Sequence, residues 1–307
     1  MTETGDAGVQ GRSWRAPAKI NLALHVTGRR ADGYHEIESL AVFTRFGDFV
    51  TITEAETDAF SVDGPFAAGV PLGGDNLAIK ARDALRHLLR HLTSGDATPI
   101  DIRLTKNLPV SSGIGGGSAD AAAVLTALNQ RWSANVAPGR LAELGQIIGA
   151  DVPMCLHSRP LVAKGIGETI ELVANAPALA LVLVNPGVAL STVDVFKGLA
   201  RRDNAGLPPL PRVIEFHSLR NWLDTTRNDL EPAARTLQPV IGRVLAALNK
   251  ADAGFSRMSG SGATCFGLFE TGNVAKRAAI EIRRRNPDWF VAATRTMTSE
   301  TDPYGRD

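Results

Sequence analysis

Residues 108–125 read Leu108-Pro-Val-Ser-Ser-Gly-Ile-Gly-Gly-Gly-Ser-Ala-Asp-Ala-Ala-Ala-Val-Leu125, with glycines at 113, 115, 116 and 117. The glycines run without a break into a helix-forming sequence that continues through Ala127 and Leu128. A glycine loop that feeds a helix N-terminus suits an anion. Bare backbone lets N–H groups approach closely, and the helix end carries about half a positive charge. Phosphate is the anion this chemistry favours. Ser118 is placed to cap the helix through its hydroxyl. Neither common phosphate pattern fits. No lysine follows the glycines as a P-loop requires, and Gly-x-Gly-x-x-Gly fails at Ser118 or Asp120, which disfavours an NAD-dependent oxidoreductase. A glycine cluster alone is as consistent with a flexible loop before a core helix. The order Pro-x-x-x-Gly-x-Gly-Gly-Gly-Ser is too regular for a linker and favours a nucleotide-phosphate site.

Other residues could join it. Ser259-Gly-Ser-Gly262 is a second glycine loop between two strands, and two such loops suggest opposing walls of one phosphate site. Lys19 and Asn21 share one face of an alternating segment whose other face carries Ile20, Leu22, Leu24 and Val26. A strand lysine is ordinarily a solvated surface group, and Asn21 beside it makes a small polar cluster. Asp151, in the tight loop 150–153, ordinarily caps a turn or pairs with an arginine. Facing the glycine loop, it could take a proton from an attacking hydroxyl. Tyr34, His35 and Phe196 read on their own as packing residues, and His25 as a half-buried strand histidine.

The elements that must position these groups follow from pattern. The chain has 307 residues, 44% of them apolar, and a formal net charge of +1, so it can build a large core and carries no basic field for nucleic acid. Two distant cysteines, Cys155 and Cys265, suit reduced thiols in the cytoplasm. The first fifteen residues lack a signal peptide's apolar core, and the longest apolar run, 178–184, is far short of the ~20 residues of a membrane helix. Residues 1–12 read as a loose tail. Strands are expected over 14–26, 36–46, 49–54, 99–106, 179–184 and 289–296, with Gly47-Asp48 splitting the second from the third. Two more are expected within 154–173. Helices are expected from Asp75 or Asn76 through His91, after Ser118, and over 138–148, 191–201, 238–250 and 273–285. Residues 63–74 and 203–212 match no motif. Two units are expected, 1–160 and 161–307, of α+β class.

Five segments together carry a family resemblance: Pro17-Ala-Lys-Ile-Asn-Leu22, Arg30-Ala-Asp-Gly-Tyr-His-Glu36, residues 108–119, Gly149-Ala-Asp-Val-Pro153 and Ser259-Gly-Ser-Gly-Ala263. They resemble the GHMP kinase superfamily. The first two point to its branch acting on a cytidine-diphosphate-linked methylerythritol in the non-mevalonate route to isoprenoid precursors. The resemblance spans about residues 14–296. It implies a two-lobed α+β fold, with a nucleotide-binding N-terminal domain, a ferredoxin-like C-terminal domain and the active cleft between them. It implies an ATP-dependent kinase using Mg²⁺, a small cytidine diphosphate as partner, and no nucleic acid or membrane. Lys19 and Asp151 would be the catalytic pair. Pro109, Val110, Ser111, Ser112, Gly113, Ile114, Gly115, Gly116, Gly117, Ser118 and Ala119 would form the ATP loop. Tyr34 and Phe196 would enclose the cytosine ring, His35 would read its edge, and Asn21 would lie near the reacting hydroxyl. Val110-Ser-Ser-Gly stands where relatives often carry Met-Gly-Gly-Gly. Another GHMP small-molecule kinase, or a non-catalytic nucleotide-binding protein of that fold, is the alternative. The aromatic pair with His35 argues against the first of these, and Lys19 with Asp151 against the second.

Overall fold

The computed structural model describes residues 12–92, 97–298 and 300, so the tail expected over 1–12 lies, apart from Arg12, outside the described residues. From the N-terminus the elements are β1 (Ser13–Arg29), β2 (His35–Glu54), β3 (Ala59–Asp63), α1 (Leu77–Leu92), β4 (Ile100–Thr105), α2 (Gly116–Arg131), α3 (Pro138–Ile148), α4 (Val152–His157), β5 (Leu161–Gly165) and β6 (Thr169–Leu172). There follow β7 (Ala180–Asn185), α5 (Thr192–Lys197), α6 (Phe216–Asp224), α7 (Glu231–Leu237), α8 (Val240–Lys250), β8 (Phe255–Met258), β9 (Cys265–Phe269), α9 (Gly272–Arg285) and β10 (Phe290–Arg295). The first sheet has the order β3-β4-β2-β5-β6, with β1 paired to β2; the second is β10-β7-β9-β8. All pairings are antiparallel except β3 with β4. No helix among the described residues is long and apolar enough to cross a membrane.

Among the described residues three apolar cores result. One lies between the first sheet and its helices, around Phe43, Ile102, Leu104 and Leu125. A second packs the other sheet on α8 and α9 through Val182, Val244, Leu248 and Ile282. The third joins the lobes, with Ile20 and Leu22 of β1 against Leu181, Leu183, Phe266 and Leu268. β1 feeds all three, through Ala16, then Ala18, Ile20 and Leu22, then Leu24 and Val26. The alanine-rich α2 is buried over most of its circumference, as a central helix must be.

Several expectations change. Gly47-Asp48 does not divide two strands, since β2 runs through it. A side chain at Gly47 would run into the Ala16 carbonyl, so this glycine serves the close approach of β1 rather than a turn. β3, α6 and α7 were not anticipated. Residues 152–157 are helical, because Pro153 sits in the first turn, where its missing N–H costs nothing. Strands β5 and β6 pair onto the first sheet, so a division after residue 160 would part them from it. The change of sheet comes between Leu172 and Ala180.

Candidate active site

β1 carries Lys19 and Asn21 into the seam between the lobes. The face expected to be solvated is covered, and Lys19 is only 4% exposed. Register shifts at Pro17/Lys19 and Asn21/Ala23 break the simple alternation, and the glycine loop lies against the strand: Lys19 N–H donates to the Ile114 carbonyl at 2.9 Å. A buried ammonium is costly without an anionic partner. Asp151 supplies one, its Oδ2 standing 2.8 Å from Lys19 Nζ while its side chain remains 37% exposed. Asp151 occupies the N-cap position of α4 but makes no side-chain cap bond there. Gly115 closes the triangle. A Cβ on it would stand 3.2 Å from Lys19 Cβ and 3.8 Å from Asp151 Oδ2.

Gly115 has φ 64° and is itself the N-cap of α2, so Ser118 lies inside the first turn and does not make the expected cap. The first intrahelical bond runs from Ala119 N–H to the Gly115 carbonyl at 2.8 Å. The amides of Gly116, Gly117 and Ser118 stand ahead of that ladder, at the positive end of the helix. The two glycine loops meet. Ser259 Oγ accepts the Asn21 N–H at 3.1 Å and donates to the Gly113 carbonyl at 3.0 Å. Thr264 N–H donates to the Ser112 carbonyl at 3.1 Å. A Cβ on Gly113, at φ 75°, would fall 2.6 Å from backbone atoms of Ser259 and Gly262. Asn228 holds the second loop from behind, donating to the Met258 and Gly260 carbonyls at 2.9 and 2.8 Å. The Asn21 amide donates to Ser39 Oγ at 2.7 Å.

Sequence reasoning missed what lies under the first loop. Lys106 Nζ is 2.6 Å from Asp48 Oδ2 and 2.6 Å from Asp120 Oδ2, all three buried. Asp48 Oδ1 also accepts the N–H groups of Asn107 and Leu108, at 2.6 and 2.8 Å, where the loop begins. A Cβ on Gly116 would stand 3.1 Å from Lys106 Nζ. Burial works against the Lys106 ammonium, but the carboxylates of Asp120 and Asp48 prevail and raise its pKa. Burial pushes the Asp120 carboxyl up to about 8, with Lys106 opposing and Asp48 adding to the rise. The signal was present: Lys106 falls in register with the inward Ile100, Ile102 and Leu104, and Asp120 interrupts an alanine run.

The expected base-binding residues lie at another corner. The turn before β2 is closed by Arg30 N–H to the Tyr34 carbonyl at 2.8 Å, and it leaves Tyr34 60% exposed. The Phe196 ring stacks on His35, with centroids 4.8 Å apart and planes at 26°. Phe196 thus turns one face to His35, where the resemblance implied a gap bounded by Tyr34. Burial lowers the His35 pKa and the charges of Arg29 and Arg202 lower it further, so the imidazole is neutral at pH 7. Its Nε2 is buried and has no hydrogen-bond partner among the described residues.

An amide cradle at a helix start, an ammonium–carboxylate pair against it, and a flat aromatic corner with an unsatisfied polar edge make a site suited to phosphoryl transfer onto a nucleotide-linked alcohol. Residues 76–159 match the family model of the GHMP kinases N terminal domain, and residues 213–288 match that of the GHMP kinases C terminal. The class is therefore GHMP kinase. The 4-diphosphocytidyl-2-C-methyl-D-erythritol kinase of Mesorhizobium japonicum is 65% identical over 297 residues, covering 97% of this chain and 100% of the relative. That of Chelativorans sp. is 53% identical, over 92% of this chain and 96% of the relative. The crystal structure of a 4-(cytidine 5'-diphospho)-2C-methyl-D-erythritol kinase superposes with TM-score 0.74 at 31% identity, covering 92% of this chain and 98% of that one. A homoserine kinase from Cytophaga hutchinsonii, at 16% identity and TM-score 0.64, shares the fold. The chain belongs to the GHMP kinase family and, within it, to the group of 4-diphosphocytidyl-2-C-methyl-D-erythritol kinases.

Proposed function

We propose that this chain transfers the γ-phosphoryl group of ATP to the 2-hydroxyl of 4-diphosphocytidyl-2-C-methyl-D-erythritol, in the non-mevalonate route to isoprenoid precursors. The observation that carries the reading is the 2.8 Å contact between Lys19 and Asp151 beside the backbone of Gly115. Residues 109–119 hold the triphosphate, with the amides of 116–118 and the helix end facing its negative charge. Asp151, steadied by Lys19, orients the attacking hydroxyl and accepts its proton. Lys19 also places positive charge beside the moving phosphoryl group, since this transfer depends on alignment and charge neutralisation more than on covalent help. Asn21, fixed by Ser39 and Ser259, lies near the acceptor hydroxyl. Phe196, Tyr34 and His35 receive the cytosine, and His35 Nε2, without a hydrogen-bond partner among the described residues, supports a pyrimidine edge as its complement.

Mg²⁺ suits this donor set. Among the described residues no group of three or more His, Cys, Asp or Glu side chains could hold a metal alone. The ion would be carried by phosphate oxygens and water, with the Ser118 hydroxyl as a protein donor, and it would neutralise phosphate charge. The reading places the enzyme in the cytoplasm. Neither Cys155 nor Cys265 is in a disulfide, and burial pushes both thiols up, away from reactivity. A coupled ADP-release assay tests the function. The cytidine diphosphate substrate should turn over, while homoserine and mevalonate should not; turnover of either of those in its place would refute the assignment.

A further inference from the structure

The Pro-rich connection over 203–212 matched no motif, yet it is strapped down at a defined place. Asn204 donates twice to the Val26 carbonyl, from its N–H and its side-chain amide, each at 3.1 Å. His25 Nδ1 meets the Ala205 carbonyl at 3.0 Å, and Leu207 N–H donates to Glu38 Oε2 at 2.7 Å. At the head of this strap stands Arg202, whose Nη2 reaches the carbonyl of Lys197, next to Phe196, at 3.5 Å. Five buried side-chain polar atoms have no hydrogen-bond partner among the described residues. Two of them, Arg202 Nε and His35 Nε2, are at this corner, where His35 stacks on Phe196 and the Arg202 charge acts on His35.

The charge here is also unbalanced. Arg30 pairs with Glu36 and Glu168, Lys197 with Asp194, and Arg201 with Asp203. Among the described residues Arg202 and Arg29 pair with no carboxylate, though both bear electrostatically on His35. A neutral base cannot balance two guanidinium groups around a neutral imidazole; a diphosphate can. The guanidinium fork matches phosphate oxygens in shape and charge. We infer that Arg202, together with Arg29, binds the diphosphate of the nucleotide-linked substrate, and that the strap beginning at Asp203 holds Arg202 in place for it. This rests on the cytidine-diphosphate reading above. It makes the corner selective for a diphosphate over an uncharged nucleoside.

The test compares CDP with cytidine by titration calorimetry, on the wild-type chain and on Arg202→Ala and Arg202→Lys. The wild type should bind CDP at least about tenfold more tightly than cytidine. Arg202→Ala should lose most of that preference while its affinity for cytidine stays within about twofold, and Arg202→Lys should keep part of it. With the full substrate, Arg202→Ala should raise KM and largely retain kcat, and unchanged binding of an ATP analogue shows that the variant is folded. The inference is overturned if Arg202→Ala keeps the CDP preference, or if it weakens cytidine and CDP equally, which would place Arg202 on the base. Wild-type protein that binds neither probe would instead remove the pyrimidine reading, and this inference with it.

Discussion

The two corners of the cleft are built differently. Around Lys19 the protein answers most of its own polar groups, and among the described residues Asp120 Oδ1, beneath the loop, is the exception. The ammonium has Asp151, the Ile114 carbonyl has the Lys19 N–H, Ser259 is both donor and acceptor, and Lys106 is held between two carboxylates. Around His35 it does not. Among the described residues two buried polar atoms there lack partners, Arg29 and Arg202 pair with no carboxylate, and an aromatic ring stands 60% exposed on the turn. The first corner is therefore preorganised, with its geometry set before any ligand arrives. The second is completed by its ligand, which must bring the missing acceptors and negative charge. Catalysis benefits from the first arrangement and selectivity from the second, because a site with unmet polar groups penalises any ligand that fails to meet them.

Breaking the preorganised corner should give the largest effects. Asp151→Asn keeps the shape of the side chain and removes the proton acceptor. Its kcat should fall by roughly 10²- to 10⁴-fold with ATP binding retained, measured by single-turnover ADP release and by titration. Near wild-type turnover would remove the base assignment. Lys106→Met leaves Asp48 and Asp120 buried face to face beneath the loop. Unfolding in urea should show a loss of about 3–5 kcal/mol. A loss below about 1 kcal/mol would mean that the triad is not a support.

The substrate corner should respond more mildly and in binding alone. Phe196→Ala should raise KM for the cytidine substrate by an amount matching about 1–3 kcal/mol, with kcat and the ATP KM little changed. An equal effect on the ATP KM would contradict the separation of the two corners. The smallest effect is on pH. His25 is buried, with Nε2 accepting the Arg227 N–H at 3.1 Å, so Nδ1 carries the hydrogen and donates to the Ala205 carbonyl. Burial, then the charge of Arg227, lowers its pKa below 6.5 in the folded chain. The unfolded chain takes the proton more readily, so this contribution to stability is complete above pH 6.5 and declines as the pH falls toward the folded value. The urea midpoint of the wild type should drop more between pH 7 and pH 5 than that of His25→Gln. Parallel curves would show that folding does not lower the His25 pKa.

Much of this could be read from the chain. Ile100, Ile102 and Leu104 alternate in strand register, Asn76 caps α1 through the Ala78 N–H, and the alanine-rich run after Gly115 is a central helix. The two glycine loops do meet, and Lys19 does reach Asp151. What stayed hidden depends on contacts distant in sequence. The solvated face assumed for Lys19 is covered by a loop about a hundred residues away. Gly47 looks like a turn until β1 is seen crossing it. Lys106 sits on an inward position that apolar counting alone would pass over. The stack of His35 on Phe196 joins β2 to α5, and no local pattern announces it.

The contrast between the corners is tested most directly by amide hydrogen exchange of the wild-type chain with an ATP analogue and with CDP, each added alone. The analogue should slow exchange over 113–118 and leave 33–37 and 196–207 nearly unchanged, while CDP should do the reverse, with the larger change because that corner lacks its partners beforehand. Protection by the analogue at 33–37 and 196–207 but not at 113–118 would contradict the account.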